Sequence, residues 1–258
     1  MRLVSSRLTV RSDRFGSGIR LALLSDLHSR AGQDIEQIIQ VTKEAKPDYI
    51  LMPGDILERL DGKRERDNES GFALMSRACE IAPVIYSIGN HENGGIHSWN
   101  KLKWAKGRSI PKFYDARDVE RIEKSGAVTV DDTYTVIDGI AFGGLTSGLI
   151  NGNRVPHTAW LDEFCALDMP KILLCHHPEY YDRFLKDRNI DIIVSGHAHG
   201  GQWRFFGRGV YAPGQGLFPR YTQGVHDGRF IISRGLKPGG LIPRFFNSPE
   251  VVIIDIEK

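Results

Sequence analysis

Short apolar runs alternate with segments of helical periodicity along the first two thirds of the chain. This alternation is typical of α/β layers built on largely buried strands. The apolar runs predict strands at 21–25, 49–52, 84–88, 127–130, 134–137, 140–142, 172–174 and 190–194. Apolar residues at helical spacing predict helices at 34–46, 71–82, 118–124, 159–167 and 179–186. The last third is richer in Gly and aromatic residues, and its runs at 230–233 and 251–256 predict antiparallel strands.

Several of the predicted strands are followed at once by residues that can bind a metal ion. In chain order these residues are Asp26 and His28, Asp55, Asn90 and His91, His176 and His177, and His197 and His199. In open α/β sheets, ligands bind outside the carboxyl ends of the strands. We therefore expect these loops to meet at one rim of the sheet.

A rim of this composition predicts a metal site, because buried carboxylates and imidazoles are costly unless a cation or another partner satisfies them. Mixed His and Asp ligands suit zinc, iron, manganese or nickel, whereas calcium prefers ligands that are all oxygen. The donors are too many for one tetrahedral ion. Two ions about 3.5–4 Å apart that share a carboxylate would use them all.

The ordered motifs resemble those of the calcineurin-like metallophosphoesterase family. They are Asp26-x-His28, Gly54-Asp55, Gly89-Asn90-His91-Glu92, His176-x-Pro178 and Gly196-His197-x-His199. Two later motifs, Gly200-Gly201-Gln202 and Ser233-Arg234-Gly235, resemble the bacterial YkuE-like phosphohydrolase branch of that family. The resemblance implies two stacked mixed β-sheets flanked by helices, a four-layer α/β/β/α sandwich, in a single domain over residues 1–258.

The resemblance also implies an enzyme, a metal-dependent phosphoesterase that hydrolyses phosphodiesters or phosphomonoesters with two manganese, iron, zinc or nickel ions, of equal or mixed valence. Its implied ligands are Asp26, His28 and His199 for the first ion, Asn90, His176 and His197 for the second, and Asp55 between the two. A hydroxide that bridges the ions would attack phosphorus in line. His91 would be the catalytic residue, not a ligand, and would donate a proton or hydrogen bond to the leaving group.

Neighbouring residues carry weaker expectations. We expect Glu92 to orient His91 or an adjacent loop, Glu58 to have no more than a structural effect, and His177 to pack or cap near the site. His97, His157 and His226 are interpreted as ordinary exposed or core histidines.

Charge and cysteine content mainly exclude other classes of protein. The 34 basic and 32 acidic residues leave a net charge of +2, which does not indicate a nucleic-acid-binding coat. The 3 cysteines have no C-x-x-C spacing and favour a reducing compartment. Every apolar stretch is well short of the ~20 residues of a membrane helix, and no signal peptide is visible. We therefore expect a soluble, cytoplasmic protein.

Two segments leave the substrate open. The segment 97–117 is basic and aromatic, and 203–221 with 236–246 combines Phe, Gly and Arg. The first segment could attract a phosphorylated substrate or anionic lipid headgroups, and the second could form an apolar lip around the site. Either could instead be an ordinary packed loop. The alternatives to a small soluble ester are therefore a lipid-linked substrate, met by peripheral contact with the inner membrane face, and a non-catalytic metal-binding scaffold. A nuclease is less favoured, because no separate basic or base-stacking module is evident.

Overall fold

The computed structural model describes residues 2–29, 35–58, 68–93, 114–147, 156–237 and 243–258. Its centre is a pair of six-stranded mixed sheets. The first sheet has the spatial order β1 (Val4–Arg11), β16 (Glu250–Glu257), β2 (Ile19–Leu23), β3 (Tyr49–Pro53), β4 (Val84–Ser87) and β5 (Val128–Val130). Strands β2 to β5 run parallel, whereas β16 is parallel to β1 and antiparallel to β2.

The second sheet repeats this plan. Its order is β14 (Gly224–His226), β15 (Phe230–Ile232), β9 (Ile192–Ser195), β8 (Lys171–Cys175), β7 (Ile140–Leu145) and β6 (Thr133–Ile137). The four central strands are parallel, and β14 and β6 close the two edges as antiparallel strands. Two short hairpins follow β9, formed by β10 (Arg204–Phe205) with β11 (Arg208–Gly209) and by β12 (Tyr211–Ala212) with β13 (Gly216–Leu217).

Helices cover the outer faces of both sheets. They are α1 (Glu36–Ala45), α2 (Glu69–Cys79), α3 (Ala116–Ser125) and α4 (Leu161–Ala166), with a π-helical turn at Tyr181–Leu185. The ends of α3 follow from its sequence: the Asp115 carboxylate accepts a hydrogen bond from the backbone N–H of Arg117, and Gly126 ends the helix in the left-handed region.

Burial on both faces explains the continuous apolar runs of the central strands. On β2, Leu21 and Leu23 face a core shared with Phe142 and Leu174 of the second sheet, whereas Ala22 packs with the residues of α1 and α2. A third cluster packs α4 and the π-helical turn against the second sheet. The predicted four-layer α/β/β/α sandwich is confirmed.

Some local predictions need correction. The strand pairing predicted for the last third is half wrong, since β15 is parallel to β9 and β16 is parallel to β1, although each is antiparallel to its other neighbour. Strand β1 was not predicted from the sequence. The orientation of β15 and β16 and the pairing of β1 depend on strands that are distant in sequence. The local pattern of apolar residues carries no information about such pairing. No helix in the described ranges is long and apolar enough to span a membrane.

Candidate metal centre

The loops after β2, β3, β4, β8 and β9 interlock through hydrogen bonds. The backbone N–H of His28 donates to the carbonyl of Asp55 at 2.9 Å. The N–H of His91 donates to Oδ1 of Asp55 at 2.8 Å, and the N–H of His197 donates to Oδ1 of Asp26 at 2.9 Å. The bond from His197 to Asp26 thus joins the loops of the second sheet to those of the first, and the N–H of Gly196 links the two loops of the second sheet by donating to the carbonyl of His176 at 3.2 Å.

Backbone strain is concentrated at this rim. Non-glycine residues with positive φ are uncommon, and they cluster at functional sites because surrounding structure must hold them. The rim residues with left-handed backbone are Asp26 (φ +55°), His28 (+51°), Asp55 (+54°), His197 (+64°) and His199 (+46°). Since this strain serves no helix or strand, it indicates that the loops are shaped to bring the five side chains together.

Two glycines of the motifs allow the loops to approach closely. A Cβ at Gly89 would lie 2.3 Å from Oδ1 of Asp55, and a Cβ at Gly196 would lie 2.3 Å from Oδ2 of Asp26. Both distances are far shorter than a carbon–oxygen contact. Glycine is therefore required at these positions to place the two carboxylates.

One donor cluster consists of Asp26, His28 and His199. The Nε2 atoms of the two histidines are 3.3 Å apart. Oδ1 of Asp26 lies 3.7 Å from Nε2 of His199 and 4.0 Å from Nε2 of His28. Three donors of this kind around one point can hold a transition-metal ion.

A second cluster consists of Asp55, His176 and His197. Oδ2 of Asp55 lies 3.1 Å from Nε2 of His176 and 3.6 Å from Nε2 of His28, so this carboxylate lies between the two clusters. Nδ1 of His176 donates to the carbonyl of Pro53 at 2.7 Å, which directs its Nε2 toward Asp55.

Some buried polar atoms at this rim have no hydrogen-bond partner in the described part of the chain. Among them are Oδ1 of Asn90, a residue that is 2% exposed, and Nε2 of His197. Such atoms lose the solvation of water without compensation. A cation would compensate both, so the donor set fits a metal ion.

In the metal-free protein, burial and neighbouring charges determine which of the clustered histidines are protonated. Burial would lower the pKa of His176, but the Asp55 carboxylate outweighs burial and raises it to about 10. Burial, together with the neighbouring His91, lowers the pKa of His28 to about 4. Burial also lowers the pKa of His197 and of His199 well below the usual value. Three of the four histidines in the clusters thus present unprotonated rings at neutral pH, as metal ligands must.

Glu92 shapes the Asp55 loop. Its carboxylate accepts hydrogen bonds from the backbone N–H groups of Asp55, Ile56 and Leu57 at 2.8–3.0 Å. It also accepts from the N–H of Gly89 and from the hydroxyl of Tyr86. Burial and the nearby Asp55 carboxylate raise the pKa of Glu92 to about 7. Of the two roles expected for Glu92, these bonds support the one on the neighbouring loop.

Glu58 contacts two histidines of the site directly, whereas no more than a structural effect was expected of it. Its carboxylate accepts hydrogen bonds from Nδ1 of His28 at 3.2 Å and from Nδ1 of His91 at 3.0 Å. These bonds outweigh burial and hold the pKa of Glu58 well below its usual range. Sequence reasoning missed this role, because the spacing of residue 58 from residues 28 and 91 gives no signal. The structure also groups His91 with His28 and Asp55.

A further cluster adjoins the rim through His197. Nδ1 of His177 donates to Oε1 of Glu179 at 3.0 Å, and the rings of His177 and His197 are 4.1 Å apart. His177 therefore packs beside the site, and Glu179, which was not anticipated, anchors it. Of the remaining histidines, His157 is more than half exposed and His226 is half-buried, whereas His97 lies outside the described residues.

Comparison with known proteins agrees with this geometry. The family model of the calcineurin-like phosphoesterases matches residues 19–201, which include both donor clusters. The chain belongs to this family. It is a metal-dependent phosphoesterase, a hydrolase that acts on phosphate esters.

Relatives in other organisms share most of the chain. YpbG of Bacillus subtilis is 36% identical over 247 residues, 92% of this chain and 81% of that protein. The metallophosphoesterase YkuE of the same organism is 24% identical over 93% of this chain and 80% of its own length, which confirms the resemblance to YkuE. The phosphodiesterase YaeI of Escherichia coli is 25% identical over 98% of this chain and 87% of its own length. A putative metallophosphoesterase of Caenorhabditis elegans, F40B5.2, is 24% identical over 93% of this chain, which spans only 48% of that protein.

Proposed function

We propose that the protein is a binuclear phosphodiesterase acting on small phosphorylated substrates. The observation that carries this proposal is the position of Asp55, whose Oδ2 lies 3.1 Å from His176 of one cluster and 3.6 Å from His28 of the other. A carboxylate between two donor sets is the arrangement that two-metal hydrolases use. The similarity to a protein named as a phosphodiesterase supports diesters as the first class to test.

In this proposal Asp26, His28 and His199 would hold the first ion. Asn90, His176 and His197 would hold the second, and Asp55 would contribute to both. Bound transition-metal ions supply an activated water as the nucleophile and offset the negative charge that develops on the phosphate oxygens. The residues of the chain fix the ligands: Glu58 orients His28, and the carbonyl of Pro53 orients His176.

His91 is the proposed proton donor. Its side chain is 17% exposed, so it reaches the open side of the rim. Burial would lower its pKa, but the carboxylates Asp55 and Glu58 outweigh burial and raise it. An imidazolium at this position can donate its Nε2 hydrogen to the leaving-group oxygen, because Nδ1 is held by Glu58.

Turnover of chromogenic esters by metal-reconstituted protein tests the proposal. With manganese, zinc, iron or nickel supplied in turn, bis-p-nitrophenyl phosphate is expected to be hydrolysed faster than p-nitrophenyl phosphate, with two ions bound per chain. His91→Ala should keep both ions but lose about 10²–10⁴-fold in kcat. His157→Ala, a change at an exposed histidine, is the matched control.

Other results would favour other functions. Two bound ions without turnover on either ester would favour the non-catalytic scaffold. One bound ion per chain would contradict the binuclear site but leave a mononuclear phosphoesterase. A monoester preference would change the proposed substrate class alone.

A specific observation also favours a second candidate, action on a lipid-linked ester at a membrane surface. We call the exposed side chains of Trp203, Phe205, Phe206, Phe218, Phe245 and Phe246 the aromatic surface. Its two segments are joined by a backbone bridge between Trp203 and Phe245 and by a ring contact between Phe205 and Phe246 at 6.1 Å. This surface adjoins the first donor cluster, because the side-chain amide of Asn247, next to Phe246 in the chain, donates to the carbonyl of His199 at 2.7 Å.

The composition of the aromatic surface fits an anionic bilayer. Phe206, Phe218 and Phe246 are 105%, 80% and 82% exposed and have positive φ, so both solvation and backbone strain oppose their positions. Residues 203–226 and 243–249 contain no Asp or Glu, whereas Arg208 and Arg220 are exposed there. Aromatic rings at headgroup level with arginines beside them are typical of proteins that bind a membrane surface.

Sedimentation with liposomes tests this second candidate. The protein is expected to sediment with vesicles that contain phosphatidylglycerol, and less with pure phosphatidylcholine. The triple variant Phe206→Ser, Phe218→Ser, Phe246→Ser should stay in the supernatant. Val136→Ser changes an exposed apolar residue on the second sheet and is the matched control. Absence of sedimentation, with full activity on soluble esters, would exclude the lipid-linked substrate. Residues 97–113 of the predicted basic and aromatic segment lie outside the described part of the chain.

A further inference from the structure

Arg244 is held beside the first donor cluster by the segment that carries it. The N–H of Arg204 donates to the carbonyl of Phe245 at 3.0 Å, which fixes this segment to the loop after His199. The side-chain amide of Asn247 donates to the carbonyl of His199 at 2.7 Å. Arg244 is 4% exposed, so its guanidinium lies under the rim rather than in solvent.

The guanidinium of Arg244 is buried without a carboxylate partner. Nη2 donates a hydrogen bond to Nδ1 of His199 at 3.1 Å, and Nη1 has no hydrogen-bond partner among the described residues. Within those residues no carboxylate oxygen lies within 4 Å of it, whereas Arg234 nearby has Glu250 at 2.6 Å. Burial lowers the pKa of Arg244 to about 10, so it remains charged at neutral pH. A buried, half-paired cation is costly and calls for an explanation.

The bond to His199 conflicts with the role proposed for that histidine. Its Nε2 faces Asp26 and His28, so a cation in this cluster would be bound through Nε2. A neutral imidazole that binds a cation through Nε2 carries its hydrogen on Nδ1. Arginine can only donate hydrogen bonds. Two donors would then face each other across 3.1 Å, and Arg244 would have to turn away.

We propose that Arg244 is a substrate-binding residue, which binds the non-bridging oxygens of the substrate phosphate once cation binding has displaced it from His199. This inference rests on the proposed metal site. Displacement frees Nη2 beside an Nη1 that is already unpartnered. Two neighbouring N–H groups of a guanidinium match two oxygens of a phosphate, and a charged bond of this kind strengthens in a site that excludes water. The otherwise costly burial of Arg244 then has a reason.

Calorimetry on the full chain tests the inference with two readouts that change in opposite directions. Arg244→Met removes both the competing bond and a positive charge, so metal-free protein should bind Zn²⁺ about fivefold more tightly or better. The zinc-loaded variant should bind inorganic phosphate about tenfold to a hundredfold more weakly, and KM for the diester should rise. Arg11→Met, which removes an exposed arginine at the end of β1, is the control and should change neither affinity with zinc and phosphate as probes.

The outcomes separate this inference from the proposed function. If wild-type protein binds no metal, both fail. If it binds metal but Arg244→Met leaves phosphate affinity unchanged, or weakens both affinities in parallel with thermal stability, Arg244 is only structural and the proposed function stands. Arg244→Lys keeps the positive charge but removes the two neighbouring N–H groups of the guanidinium. It should fold even if the Met variant does not, and it should still lose phosphate affinity.

Discussion

The imidazole of His91 donates a hydrogen bond from Nδ1 to Oε2 of Glu58, 3.0 Å away. The other oxygen of the same carboxylate accepts from Nδ1 of His28 at 3.2 Å. One carboxylate thus orients a proposed metal ligand and the proposed proton donor, so the position of one ring is coupled to that of the other. Carboxylates that hold histidines in this way set both the tautomer and the basicity of the ring.

Glu58→Gln should lower kcat about 10- to 100-fold, because the amide replaces one acceptor with a donor that opposes a ring N–H. It should also change the pH profile. Glu58 raises the pKa of His91, and a proton donor acts below its pKa, so loss of the charge should move the alkaline decline of kcat to lower pH. The pH–rate profile for the diester measures both effects.

An exposed carboxylate provides the control for Glu58. Glu123→Gln on α3 changes the net charge equally but should leave the pH profile unchanged. A Glu58→Gln enzyme that loses activity without any displacement of the alkaline limb would show that Glu58 does not act on the protonation of His91.

The convergence of the candidate donor residues could be predicted, because each closely follows an apolar run and parallel strands bring such positions to one edge. Asp26, His28, Asp55, His176, His197 and His199 meet in the two clusters as this rule requires. The local sequence does not predict which residues form hydrogen bonds with the histidines of the rim. Glu58 contacts His28 and His91, and Arg244 contacts His199, from other loops of the chain. Glu179 is only two residues from His177, but this spacing alone does not show that the two side chains are bonded.

The same limit explains the errors in the fold. The continuous apolar runs of β2, β3 and β4 predicted buried strands, because burial on both faces leaves a strong local signal. The alternating residues of β1 carry a weaker signal, since most of this strand is exposed or half-buried. Its parallel pairing with β16 joins Val4 to Glu250 across nearly the whole chain. Local patterns cannot specify such a register.

Cation binding at the second cluster should release one proton from His176. In metal-free protein Asp55 outweighs burial and raises the pKa of His176 to about 10, so the ring is protonated at pH 8, and a cation on Nε2 must displace that proton. His28 has a pKa of about 4 and contributes none. At pH 8 Glu92, whose pKa is about 7, is already ionised. Affinity for Zn²⁺ should therefore rise about tenfold per pH unit near pH 8.

Calorimetry of zinc binding in buffers with different ionisation enthalpies counts this proton. The variant His176→Asn should release about one proton fewer than wild type. Folding stability of the metal-free protein changes with pH in the opposite direction to zinc affinity. The stabilisation from the His176–Asp55 pair is fully present below about pH 6.5 and is lost as pH rises through about 10. A pH-independent zinc affinity between pH 7 and 9 would contradict this assignment.

Gly89→Ala should displace the carboxylate between the two clusters. The added Cβ would lie 2.3 Å from Oδ1 and 2.5 Å from the backbone nitrogen of Asp55, so the Asp55 loop must move. We expect at least a tenfold loss of zinc affinity with a loss of stability of about 1–3 kcal/mol. Gly139→Ala is the matched control, because a Cβ there meets nothing within 4 Å although φ is +76°. If both variants bind zinc equally well, close packing of the Gly89 loop does not position Asp55.

Asn90→Leu should have opposite effects on the metal-free and metal-loaded protein. Oδ1 of Asn90 is buried and has no hydrogen-bond partner in the described ranges, so an apolar side chain of similar size removes the cost of an unsatisfied oxygen. The Tm of the metal-free variant should equal or exceed that of the wild type. The increase in Tm on addition of zinc or manganese should shrink, because the proposed second ion would lose a ligand. Differential scanning calorimetry with and without metal measures both quantities. The control is Asn93→Leu, which changes a neighbouring asparagine whose side-chain amide donates a hydrogen bond to the carbonyl of Ser147. A metal-free Asn90→Leu protein that is destabilised while its response to metal is unchanged would mean that Oδ1 of Asn90 is not a ligand.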